Sequence, residues 1–141
     1  MNRYFILLML IALTAISTFG FQTPSKAPTS VAQALVDAFN AHDIEGILKT
    51  YHPNSVARQL PSGEVFLTGH ADIRKKFETA FQRNPSIKVE VVQRIVDGAF
   101  VIDKEKIIVV TDGKKSERFG VVIYEIREGL IVNEWYPRSQ N

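Results

Sequence analysis

Cysteine is absent from all 141 residues, which excludes disulfide scaffolds, thiolate metal sites and a cysteine nucleophile. A one-sided charge is absent too. The chain sets 17 Lys and Arg against 15 Asp and Glu, so it lacks the basic footprint that nucleic-acid binding needs. Proline and glycine are sparse and no segment repeats, which excludes collagen-like, solenoid and low-complexity architectures. Glycine-rich phosphate loops are missing. Ser55, Ser62, Ser86 and Ser116 sit in no strand-turn-helix elbow, so no nucleophilic triad is expected. The three histidines, His42, His52 and His70, have no metal-ligand spacing and fall at predicted helix ends, where imidazoles cap carbonyls. No metal and no cofactor are therefore expected. What remains is 45% hydrophobic and 23% charged, an ordinary globular composition, in a chain long enough for one domain of about 120 residues.

After Arg3, the stretch Tyr4 to Phe21 carries no charge, and its densest part runs from Phe5 to Leu13. Thr18-Phe19-Gly20 ends the run with small residues at the positions that a signal peptidase reads. The expectation is a signal peptide over residues 1–20 and export to the periplasm or medium. The alternative is an uncleaved membrane anchor, because the uncharged run just reaches the length of a short transmembrane helix. Residues 21–29, with Pro24 and Pro28, read as a linker, 30–137 as the domain and 138–141 as a tail.

Ser30-Val-Ala-Gln33 matches a capping box, and Val31, Leu35, Ala38, Phe39 and His42 recur at helical spacing behind it. Asp43 can cap a second short helix in which Ile44, Ile47, Leu48 and Tyr51 share a face, with Pro53 ending it. Ile73, Phe77, Ala80 and Phe81 predict a third helix over 71–82, with Arg74-Lys75-Lys76 on its solvated side. The period then changes to two. Asp97-Gly98, Asp112-Gly113 and Glu128-Gly129 divide the remainder into strands near 87–96, 99–110, 117–127 and 130–136. The step at Val91-Val92 predicts a bulge. Tight turns make this an antiparallel meander, so the fold class is α+β: three N-terminal helices on a four-stranded antiparallel sheet.

On the third of these strands, Arg118, Gly120, Val122, Tyr124 and Ile126 share one parity and are expected to face the helices. Glu117, Glu125 and Arg127 are expected to face water. Phe119, Val121 and Ile123 lie on that same outer face, which suggests a patch covered by a second subunit. On the last strand two buried sets stay open: Ile131, Asn133 and Trp135, or Val132, Glu134 and Tyr136.

The order of elements, with Phe39-Asn-Ala-His-Asp-Ile44, Tyr51-His-Pro-Asn-Ser-Val56, Pro61-Ser-Gly63 leading to Gly69-His-Ala-Asp-Ile73, and Val121 to Ile131, resembles the SnoaL-like branch of the nuclear-transport-factor-2-like superfamily. The resemblance covers about residues 31–136. It implies a cone-shaped barrel of the cystatin-like α+β type, with a curved sheet that adds a short extra strand to the four and leaves a pocket at its open end. It also implies a homodimer through the outer sheet face. Ketosteroid isomerases, the best-understood relatives, need an Asp base and an oxyanion hole of Tyr and protonated Asp. The resemblance places those positions on Gln59, Leu35 and Val122, so isomerase chemistry is not expected. Gln59, Arg118, Tyr124, Glu134 and Tyr136 are the candidate ligand-binding residues. The alternatives are a pocket for a small, partly apolar molecule, with Arg118 and Tyr124 beside a carboxylate, or a dimeric scaffold whose cone is filled by internal pairs.

Overall fold

The structure is a computed structural model that describes residues 26–138. The expected signal segment therefore lies outside the described residues, as do the first part of the linker and the end of the tail. Among the described residues, no helix is long and apolar enough to cross a membrane.

Helix α1 spans Pro28–Asn40 and buries Val31, Ala32, Leu35 and Val36. It starts two residues before the expected capping box. Proline stands at its first turn, where a preset φ and a missing N–H cost nothing, and no side chain caps it. Gln33 instead donates to Asp37 Oδ1 at 2.8 Å. Asp43 does cap α2, accepting from the Gly46 N–H at 2.9 Å, but α2 covers only Ile44–Leu48.

Two strands replace the expected continuation of α2. Strand β1 is Tyr51–Leu60 and β2 is Val65–Thr68. Tyr51 thus opens a strand rather than closing a helical face. Thr50 turns the chain by donating to Ile47 O at 2.7 Å, and Pro53 disfavours helical geometry just after it. Helix α3, Gly69–Arg83, follows β2, so the three helices are not consecutive. Gly69 has φ of 72°, and a Cβ there would lie 2.8 Å from Pro53 O, so only glycine fits this junction.

The meander matches its expected positions closely: β3 Lys88–Asp97, β4 Phe100–Thr111, β5 Lys114–Arg127 and β6 Leu130–Pro137. Its register slips between Val91 and Gln93, at the expected bulge. The sheet has six strands rather than four or five, in the order β2-β1-β6-β5-β4-β3. It is mixed rather than antiparallel, because β1 runs parallel to β6. A parallel neighbour needs a long crossover, which α3 and the meander supply, and adjacent-turn reasoning cannot see it.

A second irregularity decides the last strand. Ile126 pairs with Ile131, yet Glu125 pairs with Asn133, so Val132 is the extra residue. Parity changes there, and Ile131, Glu134 and Tyr136 all turn inward. Each of the two open sets was half of the answer. Glu125, expected to face water, is 8% exposed. It stays on the outer face but is covered by Arg127 at 2.6 Å and Asn133 at 2.7 Å. Phe119 and Val121 are exposed on that face, as are Ile95 and Phe100.

One buried ion pair ties the first helix to the sheet. Asp103 is wholly buried and takes both guanidinium arms of Arg94, each at 2.7 Å. Arg94 also donates to Gln33 Oε1 on α1 at 3.1 Å.

Candidate functional site

Alternation along the meander builds an interior wall. On β4, Val101, Asp103, Glu105 and Ile107 point inward, opposite Tyr124, Val122, Gly120 and Arg118 of β5. Tyr124 is in turn opposite Glu134 of β6. Ala57 and Gln59 of β1 lie beside Glu134 and Tyr136. Helices α1 and α3 line the other side with Leu35, Val36, Phe39, Phe77 and Ala80, and the half-open cavity between has a volume of about 540 Å³. Gly120 keeps this space open. A Cβ there would meet only Ile107 Cδ1, at 3.6 Å, and its φ is ordinary, so the missing side chain serves room rather than backbone geometry.

The deep end is polar and largely self-satisfied. Tyr51 O–H donates to Glu134 Oε1, and Tyr136 O–H donates to Glu134 Oε2 at 3.2 Å. Lys76 Nζ donates to the Tyr136 hydroxyl at 2.6 Å and lies 4.5 Å from that ring's centroid. Burial raises all three phenols, Tyr51, Tyr124 and Tyr136, well above the ordinary tyrosine range, so they remain O–H donors at neutral pH. Burial lowers the Lys76 ammonium, while the nearby Glu134 and Glu105 carboxylates oppose that shift.

Glu105 differs from Glu134. Its one hydrogen bond is from Tyr124 O–H at 3.3 Å. Burial, with Asp103 adding like-charge repulsion, pushes its carboxyl up to about 7. Two carboxyl groups therefore share one cavity with different partners, Glu134 held by two phenols and Glu105 loosely held.

The five candidate residues all line this cavity, but in different ways. Tyr124 and Glu134 are buried and Tyr136 is half-buried. Gln59 donates to Tyr136 O at 2.5 Å, which commits one amide hydrogen to the backbone. Arg118 is exposed at the rim and has no ion-pair partner among the described residues. Leu35 and Val122 are aliphatic wall of the same cavity. Sequence reasoning missed Tyr51, Lys76 and Glu105. Tyr51 reads in sequence as the end of a helical face, and Lys76 reads with Arg74 and Lys75 as a solvated face. Glu105 was legible in principle, because Val101, Asp103, Glu105 and Ile107 keep a strict period of two.

The histidines serve backbone groups. His42 Nε2 lies 3.1 Å from Ile87 O, and His70 Nε2 lies 3.0 Å from Tyr51 O. His52 Nδ1 accepts from the Asn54 N–H at 3.1 Å. Among the described residues, no three His, Asp or Glu side chains gather as metal ligands.

A family model described as a SnoaL-like domain matches residues 32–134. No curated protein matches the sequence. Several solved structures share the fold. An uncharacterized cystatin-fold protein from Novosphingobium aromaticivorans is 20% identical with a TM-score of 0.70, over 80% of this chain and 99% of that one. IdmH of Streptomyces antibioticus, described as a candidate polyketide cyclase, is 16% identical with a TM-score of 0.69, over 79% and 91%. A ketosteroid-isomerase-like-fold protein from Catenulispora acidiphila, solved with trimethylamine, is 12% identical with a TM-score of 0.65, over 77% and 85%.

Proposed function

The chain belongs to the SnoaL-like domain family, and from that premise we propose that it binds a small, partly apolar molecule in the cavity between the sheet and helices α1 and α3. The observation that carries this reading is the open space at Gly120, bounded by apolar helix faces and a polar deep end. A domain that only scaffolds would gain stability by filling such a void, because an unfilled cavity forfeits contacts. Its size lies within the range of small-molecule sites, about 300–1,000 Å³. Tyr124, Glu134, Tyr136 and Gln59 supply polar contacts inside, and Arg118 stands at the entrance. IdmH and the trimethylamine-bound protein support a pocket role by analogy of fold. With Leu35, Gln59 and Val122 at the isomerase positions, the reading stops at binding.

The test is a titration with the neutral, apolar dye N-phenyl-1-naphthylamine. The wild type should bind it with enhanced fluorescence. Gly120→Leu, which fills the open wall without backbone strain, should lose at least tenfold in affinity while remaining folded. Equal binding by the two proteins would remove the cavity from consideration.

The exposed apolar residues of the outer face support a second part of the reading, self-association through Phe119, Val121 and Ile123. The uncharged run at Tyr4 to Phe21 supports export, with the domain acting in the periplasm or outside the cell.

A further inference from the structure

We propose that the molecule held in this cavity is a monocation, an amine or quaternary ammonium compound, seated with its charged end against the Glu105 carboxylate and its apolar body against α1 and α3. The inference rests on the reading of the cavity as a ligand site and adds the sign of the ligand's charge.

Inside the cavity the charges do not balance. Asp103 is matched by Arg94 in a two-armed pair at 2.7 Å. Glu134 has each oxygen taken by a phenol, and Lys76 on the Tyr136 hydroxyl supplies one positive charge to Glu134 and Glu105 together. Glu105 is left over. It faces the cavity, holds one long hydrogen bond from Tyr124, and has no cation within ion-pair distance among the described residues. When it ionises, the interior carries one uncompensated negative charge, which a singly charged cation would match. Phe39 and Tyr124 add aromatic surface to the cavity lining, and Lys76 already lies 4.9 Å from the Phe77 centroid, the geometry by which a ring attracts a cation. Arg118 is the diagonal neighbour of Glu105 across β4 and β5, one rung toward the rim. It is exposed, and an ion pair between an anionic ligand and a hydrated guanidinium gains little. The half-buried, unmatched Glu105 decides.

The titration of Glu105 is set by what faces it. Asp103 comes from its own strand, with Arg94 of β3 bound to it. Tyr124 and Arg118 come from β5, Glu134 and Tyr136 from β6, Tyr51 from β1 and Lys76 from α3. Among these, the Tyr124 hydrogen bond and Lys76 favour the charged form, whereas burial, Asp103 and Glu134 oppose it, which places the change near neutral pH.

Three probes of one shape test the inference on the full chain by calorimetry: benzyltrimethylammonium, whose charge does not titrate, its neutral isostere neopentylbenzene, and the anion phenylacetate. The ammonium compound should bind most tightly, and its affinity should rise about tenfold from pH 6 to pH 8 as the ionised fraction of Glu105 grows. Glu105→Gln should flatten that profile and weaken the ammonium compound at least tenfold at pH 8. It should leave neopentylbenzene unchanged, which also reports that the variant is folded. Phenylacetate binding as tightly as the cation, or pH-independent binding of the cation, would overturn the proposal. Binding of neopentylbenzene alone would do so too, while sparing the cavity. Failure of all three to bind a folded wild type would overturn the cavity reading itself.

Discussion

Replacing Glu105 by glutamine should stabilise the protein, and by an amount that depends on pH. The native carboxyl titrates at about 7, against 4.5 for an unburdened one. Between these values the folded chain holds a proton that the unfolded chain has released, so stability must fall as pH rises through this window. Relative to an unshifted carboxyl, the raised titration costs about 3 kcal/mol of stability at pH 8 and about 1 kcal/mol at pH 5. Glutamine keeps the shape, can accept from Tyr124, and does not titrate. The advantage of Glu105→Gln over the wild type should therefore grow by about 2 kcal/mol from pH 5 to pH 8. Urea unfolding of both proteins at the two pH values measures it, and other titrating groups cancel in the difference. A variant advantage that is the same at both pH values would show that Glu105 is ordinarily solvated, and the charge balance drawn above would lose its basis.

Two further outcomes follow from the packing. Asp103→Ala leaves the half-buried Arg94 guanidinium without its partner and should cost about 1–3 kcal/mol in urea unfolding; a loss below about 0.5 kcal/mol would refute the role of this pair in fixing α1. Val121→Glu places a charge in the exposed apolar patch of β5 and should shift the protein to monomers by sedimentation; unchanged association would count against that face.

The sequence was most legible where structure is set locally. The turns at Asp97-Gly98, Asp112-Gly113 and Glu128-Gly129 located the meander, and Asp43 marked the start of α2. Reading failed where a distant partner decides. Tyr51 belongs to a strand because β6, eighty residues later in the chain, pairs with it through Ile131. Glu134 turns inward because Val132 is squeezed out of register with β5. Charged residues were the harder half of the site. Lys76 sits in a basic run that resembles a wet helix face, and only the curvature of the sheet brings its amine over Tyr136. Glu125 shows the opposite case: a charge on an outer face can still be covered by a neighbour on its own strand, Arg127, and by its cross-strand partner Asn133.

The central claim is that a small, partly apolar molecule occupies the cavity, and chemical-shift mapping tests it most directly. Isotope-labelled protein titrated with N-phenyl-1-naphthylamine should show its largest shifts at Leu35, Phe77, Gly120, Val122 and Tyr124, which surround the open space. Shifts confined to the outer face, at Ile95 and Phe100, with the interior residues unmoved, would contradict the account.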